Sequence, residues 1–188
     1  MIFVGILFAI IAIVVIVLAG LYNSLVGKKN QVINVFATVD ALLKKRYDLI
    51  PNLVATVQTY MQFEKDVLTK VTELRARALS GKATDQEKIE IDREMSKVLR
   101  GIMVAVENYP DLKANASFLQ LQATLNEVEE QISAARRAYN AAVTDYNNAV
   151  EMFPTNLMAQ MMNYKRRPVF EIGTDEREPV DVQALFKR

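Results

Sequence analysis

From Phe118 to Phe153, apolar residues return every third or fourth position without a fault. The series is Phe118, Leu121, Leu125, Val128, Ile132, Ala135, Tyr139, Ala142, Tyr146, Ala149 and Phe153. Such a seam is a heptad-type helical stripe, and a strand, with its period of two, cannot present it on one face. At ~1.5 Å per residue the helix approaches ~60 Å, so it needs partners of its own kind along its length. Three shorter stretches follow the same rule. Ile91, Met95, Val98, Ile102, Ala105 and Tyr109 form one, Leu53, Val57, Tyr60, Val67, Val71, Leu74 and Ala78 a second, and Val32, Phe36, Val39 and Leu43 a third. The spacing predicts an all-α protein.

Breakers divide the stretches. In LSGKATD (79–85), Gly81 suits a left-handed helix cap, Thr84 an N-cap, and Glu87 completes a capping box. Pro110 ends the third stretch and Pro154 the fourth. KKRYDLIPNLV (44–54) reads as the first corner: Lys44, Lys45 and Arg46 close one helix, Asp48 caps the next, and Pro51 falls in its first turn. Four amphipathic segments with short connections predict an antiparallel up-and-down four-helix bundle. From Pro168 onward the chain reads as an extended, charge-rich tail.

All 45 charged residues lie after Gly27. The opening MIFVGILFAIIAIVVIVLAGLY is about twenty apolar residues, the length that crosses a ~30 Å hydrocarbon core as a helix. With no basic residue before it and too long a run for a secretory signal, it is expected to be an uncleaved transmembrane anchor that continues into the bundle. Lys28 and Lys29 on its far side predict an outside N-terminus and a cytoplasmic body. The expected divisions are residues 1–22 for the anchor, 23–156 for the bundle, and 157–188 for a membrane-proximal segment with the tail. Gly5 and Ala9 form one small-xxx-small pair, a hint of helix association.

The chain has neither His nor Cys. This removes thiolate and disulfide chemistry, zinc sites built on those residues, and the Ser-His-Asp and Cys-His nucleophile systems. A net charge of +1 gives no footprint for nucleic acid. No catalytic residue, cofactor or metal is assigned. Three groups stand out as interaction or packing candidates. Arg46, Tyr47, Asp48, Leu49, Pro51 and Asn52 are expected at the bundle's membrane-distal tip, beside ENYPDLK, as a corner or a partner epitope. Glu64 falls on an apolar seam and calls for a cation such as Arg136 or Arg137. Tyr139–Asn140 and Tyr146–Asn147, seven apart, are expected to join it in a buried polar network, the amides serving the hydroxyls. Met158, Met161 and Met162, followed by Tyr164, Lys165, Arg166 and Arg167, suit either a membrane-surface segment or packing against the bundle.

Together YNSLV (22–26), Lys29–Asn30, Asp40, KKRYDLIPNLV, Tyr60 with Glu64, and ARRAYNAAVTDYNNAVEMFPTN resemble the bacterial LemA family over roughly residues 21–171. The segment before Pro168, MNYKRRPVFE, is less typical. The resemblance implies a membrane-anchored helical bundle with a cytoplasmic body and no assigned activity, some relatives being tied to magnetosome membranes or lying beside membrane proteases. The functional expectation is a non-enzymatic scaffold at the bacterial inner membrane that self-assembles or recruits partners, with the bilayer and further copies of the chain as partners. The alternative is an accessory or sensory subunit of a membrane protease or signalling system. An enzyme would have to rely on Asp, Glu, Lys or Tyr around Glu64.

Overall fold

A computed structural model describes residues 2–60 and 65–170. Six helices are present among them: α1 (Ile2–Tyr60), α2 (Lys65–Leu79), α3 (Asp85–Val106), α4 (Pro110–Lys113), α5 (Ala116–Glu151) and α6 (Thr155–Met161). No strand occurs among the described residues. The long helices alternate in direction: α1 runs away from the apolar end, α2 back, α3 away, and α5 back along nearly the whole bundle.

The first corner is not where the proline suggested. KKRYDLIPNLV lies inside α1, which runs unbroken for 59 residues, or ~88 Å at 1.5 Å per residue. Leu53, Val57 and Tyr60 therefore belong to the helix of Val32 and Leu43, and not to α2 (Lys65–Leu79). The cost of an internal proline is a missing N–H, which here orphans the Tyr47 carbonyl four residues back. Arg75 of α2 supplies the replacement: its Nε donates to that carbonyl at 3.0 Å. Pro51 itself faces solvent. Tertiary contact thus carries the helix through a position where local chemistry favours a stop.

This relation has a measurable consequence. Arg75→Met is expected to cost about 1.5–3 kcal/mol, the range for a hydrogen bond with a charged partner. In a Pro51→Ala background the Tyr47 carbonyl regains its helical N–H, so the same change should cost clearly less. A double-mutant cycle by denaturant unfolding reads the difference; equal costs in both backgrounds would refute the compensation.

The other punctuation behaves locally. Gly81 takes φ +69°, where a side chain would be strained. Thr84 and Glu87 form the reciprocal capping box of α3, and these bonds hold the Glu87 carboxyl below its ordinary value. Asn115 caps α5 by accepting from the Phe118 N–H at 3.0 Å.

The cross-section changes along the bundle. In the half beyond Asp40, α1, α2, α3 and α5 enclose a core that includes Ile50, Leu53, Val57, Val71, Leu74, Ile102 and Val128, all essentially inaccessible. In the other half α2 and α3 have ended, and α1 and α5 form a hairpin. There α6 and the extended residues 164–170 cover the hairpin, burying Leu25, Val32, Phe36 and Tyr139. Phe36 meets Tyr139 at 5.3 Å between ring centroids, and Phe170 meets the same tyrosine edge-on at 5.3 Å.

Candidate functional site: a charged core ring and an asparagine clamp

Four charged side chains close a ring where α1, α3 and α5 meet. Arg46 donates through Nη2 to Asp92 Oδ1 at 2.5 Å and through Nη1 to Glu129 Oε2 at 2.8 Å. Arg136 bonds the second Asp92 oxygen and stands 3.5 Å from Glu129 Oε1. Ser96 Oγ accepts from Arg46 Nη1 at 3.1 Å. Arg46 and Asp92 are 1% and 2% exposed, so this is an ionic centre inside the core rather than a surface pair. The Nε atoms of Arg46 and Arg136 are buried without a hydrogen-bond partner among the described residues. Burial opposes the charge of Arg46, but Asp92 and Glu129 overcome it and hold its pKa above the ordinary value. Burial lifts the Asp92 carboxyl above its ordinary value against the pull of Arg46 and Arg136. A ring of alternating sign specifies which faces of three helices meet, since rotating any one of them strands a charge.

Burial also pushes the neighbouring Tyr47 phenol from 10.0 up to about 12. The unfolded chain releases this proton near pH 10 and the folded chain two units later. The Tyr47 contribution is therefore whole below pH 10 and is lost as the pH rises toward 12. The expected loss is about 2–3 kcal/mol from this residue, with Tyr139 and Tyr146 raised by burial in the same direction. Tyrosinate absorbance followed alongside helicity tests this. Tyr47→Phe should shallow the alkaline decline, and an unchanged slope would refute the assignment.

A second construction lies lower on α5. Asn140 Nδ2 donates to the Phe170 carbonyl and its Oδ1 accepts the Phe170 N–H, both at 2.8 Å. Asn147 repeats the pattern on Arg167, at 3.0 and 2.9 Å. Tyr139 and Tyr146 donate their hydroxyls to the carbonyls of Pro168 and Lys165, at 3.2 and 3.1 Å. The repeat is a matter of pitch. Seven helical residues rise ~10.5 Å, and three extended residues span about 10 Å. The two Tyr-Asn pairs thus hold two backbone positions three apart on an extended segment running antiparallel to the helix. All of these hydrogen bonds are to backbone, and the side-chain contact beside them is the Phe170 ring against Tyr139. Arg136 lies 5.7 Å from the centre of the Phe170 ring, so the clamp abuts the ionic ring.

Arg46 and Tyr47 are core residues in mid-bundle, not tip residues. Asp48 is no helix cap; it pairs with Lys44 on the exposed face of α1 at 2.9 Å. Leu49 is half-buried, while Pro51 and Asn52 face solvent beside α5. The membrane-distal end is formed instead by the α1 terminus and the α3–α5 connection, where Asn115 Nδ2 donates to the Tyr60 hydroxyl at 2.9 Å. Of the expected polar network, Glu64 lies outside the described residues, and Arg136 finds Asp92. Arg137 turns outward to Ser133. The asparagines serve the backbone of residues 167 and 170 rather than the tyrosine hydroxyls. Among the methionines, Met158 and Met162 pack on the core and Met161 is exposed. Tyr164 sits under Lys29, whose Nζ is 4.8 Å from the ring centre. Arg166 pairs with Glu151 and Arg167 with Asp85, while Lys165 faces solvent.

Asp92, Glu129 and Phe170 were not anticipated in these roles. A signal existed for the ring: Arg46 occupies the seam position between Leu43 and Ile50, and Asp92 continues through Met95, Leu99 and Ile102 at helical spacing. Two shallow grooves mark the surface between α1 and α5, one around Asn23, Gly27 and Asp145 and the other around Asn52, Thr56 and Gln120. The first also holds Ser24 and Lys28, and the second is lined by amide, hydroxyl and apolar side chains with no charged residue.

The sequence model of the LemA family matches residues 35–184. The chain is 28% identical to Protein LemA of Metamycoplasma hominis over 90% of its own length and 77% of that protein. It is 22% identical to Magnetosome protein MamQ 2 of Paramagnetospirillum magneticum and 20% identical to Magnetosome protein MamQ of Magnetospirillum gryphiswaldense. Each of these two alignments covers 88% of this chain and 70% of the relative. The family match takes in Arg46, Asp92, Glu129 and Arg136 of the ring and both halves of the clamp, and this membrane-anchored helical chain belongs to the LemA family.

Proposed function

We propose that the protein is a non-enzymatic scaffold of the bacterial inner membrane, which self-associates or gathers partners around a rigid post. The observation that carries this reading is the unbroken α1. One helix leaves the apolar segment and forms the spine of the bundle, so the tip near Tyr60 stands ~57 Å beyond Tyr22 at 1.5 Å per residue. The charged ring and the clamp both spend their polar groups on holding the fold. Exposed apolar residues remain for partners toward the far end: Val104, Tyr109, Leu119 and Tyr60. Tethering in one plane raises the effective concentration of copies, so weak contacts suffice. We place the body in the cytoplasm, because Lys28 and Lys29 follow the span directly. Crosslinking in native membranes with mass spectrometry tests the reading. Chain-to-chain or chain-to-membrane-protein links at the far end are expected, and a monomer that links to nothing would sink it.

The same helix favours a second reading, an accessory or sensory subunit of a membrane protease or signalling system. A rigid joint passes a shift of the span to the bundle. Substituting Tyr109 and Leu119, rather than the buried Tyr47, should then remove one defined membrane partner while leaving self-association intact.

A further inference from the structure

We propose that Met152, Phe153, Leu157 and Met161 form a foot that dips into the lipid leaflet from which α1 emerges, a second membrane contact beside the transmembrane helix. Phe153 continues the α5 seam in sequence, yet it is 78% exposed, because α5 ends at Glu151 and the chain turns away from the core. Met152, Leu157 and Met161 are 62%, 55% and 83% exposed. On α6, Leu157 and Met161 share one outward face at i, i+4, while Met158 and Ala159 pack inward. The short helix is therefore apolar on both sides, and among the described residues one side has a protein partner and the other has none.

The occupant follows from height. Phe36 and Tyr139 face each other on antiparallel helices. Fourteen residues lead from Phe36 down to Tyr22, and fourteen from Tyr139 down to Phe153. At ~1.5 Å per residue the first path descends about 21 Å, and the helical part of the second, Tyr139 to Glu151, about 18 Å, which leaves Phe153 just beyond it within a turn of the level of Tyr22. Tyr22 closes the apolar segment, which is exposed from Ile2 to Gly20, Leu18 among these residues. The foot is thus continuous with the lipid-facing surface of the span. Methionine, phenylalanine and leucine are the side chains of an interfacial helix, and Lys28, six residues beyond Tyr22, and Lys165, whose carbonyl is held by Tyr146, suit anionic headgroups. A second copy of the chain would need no such coincidence of level.

The inference rests on the membrane-anchored reading of α1 and not on the scaffold role. The chain has no tryptophan, so one substitution makes a single-tryptophan protein that can be excited selectively at the red edge, away from its seven tyrosines. Full-length Phe153→Trp, Leu18→Trp and Val104→Trp variants are reconstituted into phosphatidylcholine–phosphatidylglycerol vesicles with brominated acyl chains, after circular dichroism shows unchanged helicity. Expected are strong quenching of the tryptophan at 18, at least about two-fold quenching at 153, and none at 104. Quenching at 18 without quenching at 153 overturns the foot and leaves the anchor standing. A blue-shifted but unquenched tryptophan at 153 overturns it in favour of a protein neighbour. No quenching at 18 removes the anchor, and the foot with it.

Discussion

Arg46→Met is expected to destabilise the bundle by about 3–5 kcal/mol, the cost of leaving a buried ionic partner short of its counter-charge. Asp92 is 2% exposed, so water cannot replace the lost guanidinium, whereas Glu129, nearly half exposed, can turn outward. The asymmetry makes a second expectation. Replacing Arg46 and Asp92 together by apolar residues should recover much of the loss, because no buried charge then depends on the missing one. Arg136, about a quarter exposed, keeps Glu129 as its partner. Denaturant unfolding of the detergent-solubilised chain reads both quantities. A single variant within about 1 kcal/mol of the parent, the scale of an exposed pair, would show that the ring does not hold the core. A double variant no better than the single would show that the ring acts by something other than charge balance. If the double variant is stable but loses cooperativity, the ring selects one helix register rather than supplying net stability.

Asn140→Ala combined with Asn147→Ala should release the segment that covers the α1–α5 hairpin. Each asparagine makes two hydrogen bonds to one backbone position. At about 1 kcal/mol per bond, the pair of substitutions removes roughly 3–5 kcal/mol of local anchoring. The direct readout is hydrogen exchange at the Arg167 and Phe170 amides, which should speed by about two orders of magnitude or more on that scale. Amides of α3, such as that of Met95, should hardly respond. Asn→Asp variants sharpen the test. Aspartate accepts the N–H but cannot donate to the carbonyl, and should leave intermediate protection. Equal protection in all variants would mean that apolar packing of Phe170 on Tyr139 holds the segment and the asparagines are incidental.

The contrast between these two constructions shows what was legible. The Tyr-Asn repeat was visible at its spacing of seven, and its burial followed from the seam. Its ligand was not, because the strand it grips lies some twenty to thirty residues away in sequence and lacks periodicity of its own. The tail from Pro168 read as extended, and its first three residues are so, held by the clamp; the remainder lies outside the described residues. In KKRYDLIPNLV, Lys44, Asp48 and Pro51 each have a standard meaning at helix ends, but an apolar seam runs through them. Val39, Leu43, Arg46, Ile50, Leu53 and Val57 keep one register without interruption. A seam that stays in phase across a proline is evidence of one helix, and a charge in that seam is evidence of a buried partner.

By itself, then, the sequence determined whatever depends on residues close in the chain. These are the apolar span, the amphipathic helices with their faces, the capping box at Thr84, the left-handed Gly81 and the exclusion of thiolate and imidazole chemistry. Helical periodicity and caps act within a few residues, and a single chain displays them directly. Only the tertiary structure decided where α1 ends, which charges close the ring, and what the asparagines hold. Each of these depends on groups from different helices meeting in a low-dielectric interior, where the cost of an unpaired charge or carbonyl exceeds any local preference. Arg75 supplying the bond that Pro51 removed is the clearest instance: the residue that permits the helix to continue belongs to another helix.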